Sequence, residues 1–373
     1  MPDQPNQLST YRISTTEEFE KLQDAWGKLL EQSHAQSAFL TWEWLFSWWK
    51  VYNDTSTLWI LTTWKNDELL GILPLGLYDT KKSGLNFRTL RPLGSPHVDV
   101  SGVLVKDQNE DVIESLCQYF VDHNKDWDIL EINHYRQDDP VLFFLKSSLS
   151  QKGLISREKI NDHFHVTLEG SWEELHSKLS RRFRKNLRRA ARRSKESGEV
   201  TFEHFSGERI NWEVFKKIIN VNQHSQYPLL FNSPREQAFH KELTEHAYTK
   251  KILTVFILSI DNIPLAYEYG FIYGHNYESW RAGYDTRNDP TISIGKLLSQ
   301  MVTERSFDLG YKEIDFLRGD EAYKQEWQPS ARKYSKVQFI KKTNLIAGFI
   351  FITLPQIRTF FKGLLPERFI KRG

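Results

Sequence analysis

Two stretches of this chain follow one plan. LWILTTWKNDELLGILPLGL (58–77) and ILTVFILSIDNIPLAYEYGFI (252–272) each join two runs of aliphatic, β-branched and aromatic residues through a polar pair, Asn66-Asp67 in the first and Asp261-Asn262 in the second. Such runs read as β-hairpins. Asn262 follows Asp67 by 195 residues, and at that offset Gly71 falls on Ala266. A chain that repeats a supersecondary unit at this distance points to two copies of one α/β unit.

The flanking segments repeat as well. Thr15 and Glu18 form a capping-box pattern, and Phe19, Leu22, Trp26, Leu29 and Leu30 follow at helical spacing, which predicts a single helix. In TWEWLFSWWK, Trp44, Leu45, Trp48 and Trp49 share a helical face with Thr41 as N-cap. Ser171 and Glu174 give a second capping box ahead of the second half. Behind each hairpin come a helix and a strand. One helix surrounds Asp111 to Phe120 and leads to DILEIN; the other runs from Ile294 to Leu309 and leads to KEIDFLR. The expected class is α/β with mixed (α+β) sheets in two lobes, 1–160 and 161–342, followed by an amphipathic tail, 343–373.

Composition fits this plan. The 373 residues exceed one ordinary core, and 39% hydrophobic with 26% charged residues describes a chain that buries a core. Fifty basic against 48 acidic residues leave +2, no global pull toward nucleic acid. The lone cysteine, Cys117 in VIESLCQYF, excludes an internal disulfide, fits a reducing compartment and reads as core packing. MPDQPNQLST lacks the marks of a signal peptide, and no apolar run reaches the length of a membrane span; a cytoplasmic protein is the expectation. Seven of the 12 Trp precede residue 65 and read as core, with an aromatic wall for a sugar or lipid acceptor as the other reading. His123, His134, His163 and His165 show no metal-ligand spacing, so no metal is expected, and His224 reads as a satisfied surface residue.

Three stretches carry chemistry. In SIGKLLSQMVTERSFDLG, Ile294, Leu297, Leu298, Met301 and Val302 form an apolar face and Ser293 is a natural N-cap. Gly295 and Lys296 occupy the first turn, where helices prefer acids; a glycine and a cation there suit an incoming anion, although an ordinary amphipathic helix with a solvated lysine explains them too. In DFLRGDEAYKQEWQP, a strand pattern stops in charge: Asp315 needs a partner or a cleft, and Arg318 can pair with Asp320 or Glu321. In LSRRFRKNLRRAARRSK, nine of the residues from Arg181 to Lys195 are basic, and Leu179, Phe183, Leu187 and Ala190 form an apolar stripe. This predicts an amphipathic helix with a positive face for a phosphate-bearing partner, or simply a solvated face.

The segment TISIGKLLSQMVTERSFDLGYKEIDFLRGDEAYKQEW resembles the C-terminal part of GNAT-superfamily acyltransferases of the CelD/BcsL-like group, with Ile294 where that group has proline. Weaker likeness covers residues 37 to 340, including FLTWEWLFSWW, GILPL and SWEELHSKLSRRFRKNLRR. The group is similar to the FemAB-like tandem GNAT transferases, which implies two tandem GNAT-like lobes of the acyl-CoA N-acyltransferase fold, the second catalytic. The first has acids in GVLVKDQNEDVIESL where the second has SIGKLL, so it reads as a degenerate copy.

The resemblance implies an acyl-CoA (acetyl-CoA) donor with its pyrophosphate around Ser293, Ile294, Gly295, Lys296 and Leu297. It implies Lys324 and Asp320 as leading catalytic residues, Glu268 as general base, Tyr284 as general acid, and Asp315 as an ordering or acceptor-binding carboxylate. Arg318 and Tyr323 would bind substrate. The implied reaction is acyl transfer to an amine, or to a hydroxyl, of a small-molecule, saccharide or envelope-precursor acceptor. Two rivals stand beside it: an aminoacyl-tRNA-dependent transferase, as in FemAB proteins, although nucleic acid is disfavoured by the lack of interleaved aromatics; and a non-catalytic glycan- or lipid-binding protein. In the tail, Ile357, Phe360, Phe361, Leu364 and Leu365 recur at helical spacing among Arg358, Lys362, Arg368, Lys371 and Arg372. This predicts peripheral contact with the inner face of a membrane, against a helix that packs on the second lobe.

Overall fold

The polar turns of both hairpins adopt the left-handed backbone that Asn and Asp tolerate: φ is 55° at Asn66, 50° at Asp261 and 63° at Asn262. The structure, a computed structural model, describes residues 7–226, 231, 233–247, 250–287 and 292–357. In chain order the elements are β1 (Leu8–Ile13), α1 (Thr16–Glu20), α2 (Gln23–Glu31), α3 (Trp42–Tyr52), β2 (Thr57–Lys65), β3 (Glu68–Lys82), β4 (Leu85–Pro92), β5 (Leu104–Val105), α4 (Glu110–Asp122), β6 (Ile129–Arg136), α5 (Pro140–Gln151) and β7 (Leu154–Thr167). Then come α6 (Trp172–Lys178), α7 (Arg181–Ser197), β8 (Val200–Ser206), α8 (Trp212–Asn222), α9 (Pro234–Ala247), β9 (Leu253–Ile260), β10 (Ile263–Tyr273), β11 (Asn276–Tyr284), α10 (Ile294–Asp308), β12 (Glu313–Asp315), α11 (Ala322–Glu326), β13 (Ser330–Lys341) and α12 (Leu345–Gly348).

The chain forms two compact units. The first comprises 1–36, 52–161 and 333–373; the second comprises 37–51 and 162–332. The boundary therefore falls inside β7 and inside β13, and α3, early in the sequence, belongs to the second unit.

In the first unit the strand order is β1-β2-β3-β4-β6-β13, antiparallel except for the parallel pair β4–β6. One face packs on α4 and α5, where Trp59, Leu61, Leu75, Leu116, Phe120, Trp127, Leu145 and Phe339 are buried together. Cys117 lies in this core, and burial pushes its thiol up to about 12, the behaviour of a packing residue. A smaller cluster joins Phe87, Ile129 and Ile340 to Ala347, Ile350 and Phe351 of α12 and the π-helical turn Phe349–Thr353 that continues it.

The second unit repeats the plan as β8-β9-β10-β11-β12-β7, again with one parallel pair, β11–β12. One face packs on α6, α7 and α10; Phe183, Leu187, Ala190, Leu297, Leu298 and Val302 bury against Phe256, Leu258, Tyr277 and Ile314. Elsewhere in this unit is an aromatic cluster: Phe39 lies 5.2 Å from Phe271, Trp44 lies 6.1 Å from Trp280, and Phe215 lies 5.5 Å from Tyr269. The shared strand order makes the molecule a mixed α/β protein of two similar units.

Several local expectations change. The Thr15–Glu18 capping box forms, but the helix breaks at Lys21 and Leu22 into α1 and α2, with Phe19 5.5 Å from Trp26 across the break. Ser293 adopts φ 57° and its hydroxyl caps nothing, so it is no N-cap in the hydrogen-bonding sense. The strand through KEIDFLR ends at Asp315; Leu317 turns to φ 55°, and Phe316 and Leu317 are both buried. The Trp-rich segment is core: Trp26, Trp44, Trp48 and Trp59 are fully buried. In the tail, the stripe from Phe360 to Leu365 and its cations from Arg358 on lie outside the described residues. Among those described, no helix is long and apolar enough to cross a membrane.

Candidate active site

The centre of β10 carries Glu268, a carboxylate in a strand that is otherwise apolar. It is buried, with 7% exposure, and its Oε1 accepts hydrogen bonds from Ser279 Oγ at 2.7 Å and Tyr277 Oη at 3.1 Å. Burial raises its pKa, and the two hydroxyls oppose the shift. Beside it the β10–β11 register slips between Tyr269 and Gly270. Such a bulge bends the strand and leaves backbone groups outside the ladder. Glycine is required there: a Cβ on Gly270 would stand 1.9 Å from the Glu278 carbonyl oxygen.

Register places Tyr284 opposite Ala266 and Ala282 opposite Glu268, so Tyr284 and Glu268 share a sheet face with α10. Tyr284 is 44% exposed, and its ring lies against the first turn of α10: a Cβ on Gly295 would be 3.0 Å from Tyr284 Cδ1. The N–H groups of Lys296 and Leu297 turn back to the Ser293 carbonyl at 3.0 and 3.3 Å. Among the described residues those of Ile294 and Gly295 have no acceptor, which leaves two donors at the positive end of the helix for an anion. The side chains of Ile294 and Leu297 are core.

Lys296 itself is engaged. Its ammonium is bonded to the Glu326 carboxylate and sits 5.3 Å from the Phe183 ring centroid. The corresponding helix of the first unit, α4, differs: Asn109 Oδ1 accepts from Asp111 N at 2.9 Å and Val112 N at 3.4 Å, and Glu110 and Asp111 fill the first turn. That end is capped and acidic.

The charged stretch after β12 folds around Lys324. Lys324 is 3% exposed; its ammonium donates to the carbonyls of Phe316 at 2.8 Å, Arg318 at 2.8 Å and Gly319 at 3.3 Å and pairs with Glu321 at 2.9 Å. Asp315 accepts from Leu317 N at 2.7 Å and from Arg332 at 3.3 Å; burial pushes it up to about 6, and Glu313 adds to the rise. Arg332 also holds Glu313 in a two-pronged pair at 2.9 Å. Asp320 is exposed and Arg318 half-buried. Tyr323 is 45% exposed, and desolvation together with the carboxylates of Glu268 and Glu321 raises its phenol.

The structure thus brings together Glu268, Tyr284, Tyr323, Ile294 and Gly295. It directs Lys324, Lys296 and Asp315 into bonds with the protein's own groups, which accounts for the charge in DFLRGDEAYKQEW: the cluster closes a loop on itself. Tyr277, Ser279, Glu326 and Arg332 escaped the sequence reading. The first two could have been found, because pairing β10 with NYESW across the hairpin sets Ser279 opposite Gly270. No group of His, Cys, Asp and Glu among the described residues could hold a metal ion. His224 is tied through its Nδ1 to the Asn220 carbonyl at 3.0 Å.

The second unit thus sets a bulged strand with a buried carboxylate beside a helix N-terminus that keeps free N–H groups. Residues 181–325 match the family model described as an acetyltransferase (GNAT) domain, and the fold of the whole chain is similar to that of FemX. Among solved structures, FemX aligns over 88% of this chain and 96% of its own, with TM-score 0.59 and 11% identity. The C-terminal domain of a putative lysylphosphatidylglycerol synthetase from Agrobacterium fabrum aligns over 90% of this chain and 96% of its own, with TM-score 0.55 and 10% identity. L-PGS from Bacillus licheniformis gives TM-score 0.50, 12% identity, and coverage of 86% and 91%. Among curated proteins, none matches this sequence.

Proposed function

We propose that the second unit transfers an acyl group from an acyl-CoA thioester to an amine, or to a hydroxyl, of an envelope-precursor or saccharide acceptor. The observation that carries this reading is the buried Glu268 on the bulged strand beside the open N–H groups of Ile294 and Gly295. A pyrophosphate fits those two donors, and Gly295 lets it approach the backbone closely. Lys296, bound to Glu326, contributes no free charge there unless that pair opens.

In the reaction, the acceptor nitrogen attacks the thioester carbonyl. A C–N bond forms, the C–S bond breaks, and the proton lost by nitrogen goes to Glu268. A carboxylate whose pKa is raised by burial is a stronger base than an exposed one. The departing thiolate takes its proton from the phenol of Tyr284. Lys324 and Asp315 act as positioning residues that fix the loop bearing Tyr323. In this reading Asp320 and Arg318, in the same loop, bind the acceptor. The envelope acceptor draws support from the names of the lysylphosphatidylglycerol synthetase relatives.

Calorimetry with acetyl-CoA and longer acyl-CoAs tests the donor site. Wild type should bind, and Gly295→Glu, which adds bulk and negative charge against Tyr284, should bind at least tenfold more weakly. Equal binding by both proteins would place the donor elsewhere.

A second reading, an aminoacyl-tRNA donor, is favoured by α7. There Arg181, Arg182, Lys185, Arg188, Arg189, Arg192 and Lys195 are exposed on the helix whose other side is core. Salt-sensitive tRNA binding together with no heat from any acyl-CoA would select it.

A further inference from the structure

The helical segment that ends the described chain, 345–357, has two unlike faces. Ala347, Ile350 and Phe351 are buried against Phe87, Ile129 and Ile340 of the first unit. The other face is bare: Leu345 is 79% exposed, Ile346 60%, Phe349 52% and Ile357 40%. Residues 345, 349 and 353 fall on one line of a helix, with 346 and 357 beside it. Single exposed hydrophobics are ordinary, but four on one short face are not.

The sequence of this segment is cationic, although Lys341 itself donates to the Trp127 carbonyl. No acidic residue occurs from Lys341 to Ile357, where Lys341 and Lys342 lead into the helix. Lys82, near the tip of the β3–β4 hairpin, places its ammonium 4.0 Å from the Phe351 ring centroid. Next to it are the exposed Lys81 and, across the hairpin, Leu85 at 44% exposure. In sequence, 358–373 continue the bias, with five cations against the single acid Glu367.

We infer that this face of the first unit is a docking surface for an anionic lipid bilayer, lying in the interface rather than crossing it. Leu345, Ile346 and Phe349 enter the boundary between headgroups and acyl chains. Lys81, Lys82 and Lys342 meet the lipid phosphates with their stems along the apolar surface. Charge complementarity selects this occupant: a second copy of the chain would bring the same lysines toward themselves. The sequence placed the membrane contact on the tail's stripe from Ile357 onward; the described residues place an apolar, cation-flanked surface at the start of the same tail, packed on the first unit. The inference stands apart from the acyl-transfer reading, since it concerns where the protein works and not what it transfers.

The test is sedimentation of the full chain with vesicles. Wild type should bind phosphatidylcholine vesicles containing a third phosphatidylglycerol at low salt, bind pure phosphatidylcholine at least tenfold more weakly, and be released by high salt. The double variant Leu345→Glu, Phe349→Glu should lose binding to the anionic vesicles at least tenfold. Both sites are exposed, so its melting temperature and its acyl-CoA heats should match wild type, which separates failure of this inference from failure of the donor site. Replacing Arg358, Lys362, Arg368, Lys371 and Arg372 with Gln should weaken binding less than the double variant does. The inference is overturned if wild type ignores anionic vesicles, if the double variant binds as well as wild type, or if the five-Gln variant alone loses binding. It is also overturned if wild type is a dimer in solution that the double variant disperses, for then the face covers a second copy.

Discussion

The ammonium of Lys324 stands 2.8 Å from the carbonyl oxygen of Phe316, in the interior of the loop that follows β12. This fixes what a substitution does. Lys324→Met keeps the aliphatic stem but leaves three buried carbonyls without a donor, at a cost of about 2–4 kcal/mol. The melting temperature should fall by several degrees. Reduced activity should follow unfolding of the loop. A variant with normal melting and no turnover would instead give the ammonium a direct part in the chemistry.

Glu268→Gln keeps the size of the side chain and its bonds to Ser279 and Tyr277 but removes the base. Turnover with a saturating acyl-CoA should drop about a hundredfold or more, with binding of the donor unchanged. The rate of wild type should rise with pH through a value above the ordinary glutamate pKa, because burial raises Glu268. In the Gln variant that limb should vanish. A variant with the same pH profile as wild type would remove Glu268 from the mechanism.

Asp315 gives a signature in stability. Its carboxyl is pushed from 3.8 to about 6 in the folded chain, chiefly by burial. The folded protein therefore binds this proton more tightly than the unfolded one, and its contribution to stability is present below about pH 4 and lost as pH rises through about 6. Asp315→Asn removes it. Denaturant midpoints measured every half unit across this window should show wild type losing stability relative to the variant as pH rises. Parallel curves would mean that Arg332 and Leu317 N hold the carboxylate at its ordinary value.

Ser293 sits at φ 57° with a hydroxyl that caps nothing. Ser293→Ala should cost less than the roughly 1 kcal/mol typical of a lost N-cap. Ser293→Gly, free of the left-handed penalty, should melt at or above wild type. A large loss on Ser293→Ala would mean that the hydroxyl has a partner the helix geometry does not reveal.

Gly270→Ala should be the harshest of the single changes on β10. The added methyl meets backbone, the Glu278 carbonyl, and neither strand can retreat without opening the ladder. A loss of about 3 kcal/mol or more is expected, together with loss of the bulge. A crystal structure or the amide exchange of β11 would report it.

Period and turn chemistry made the hairpins, α10 and β6 legible, because two-residue turns with Asn and Asp leave few alternatives. The same logic marked the buried stripe of α7. The split of α1 from α2 was not legible, since both pieces share one apolar spacing and only the packing of Phe19 on Trp26 decides the break. At the site, the residue types and their neighbourhood could be read, but not the direction of the charges. Lys296 and Lys324 look free in sequence; Glu326 and the loop carbonyls that take them up are found only in three dimensions. Glu268 came from the family resemblance and its place on the strand after the second hairpin, whereas Tyr277 and Ser279 became its partners only through register.

The boundary inside β13 sets an order of synthesis. Everything assigned to the second unit has left the ribosome by Arg332, whereas β6 gains its outer neighbour only when residues 333–341 emerge. The earlier-translated half is thus the later to be completed, and until then its edge at β6 is open to chaperones or to pairing with other nascent chains.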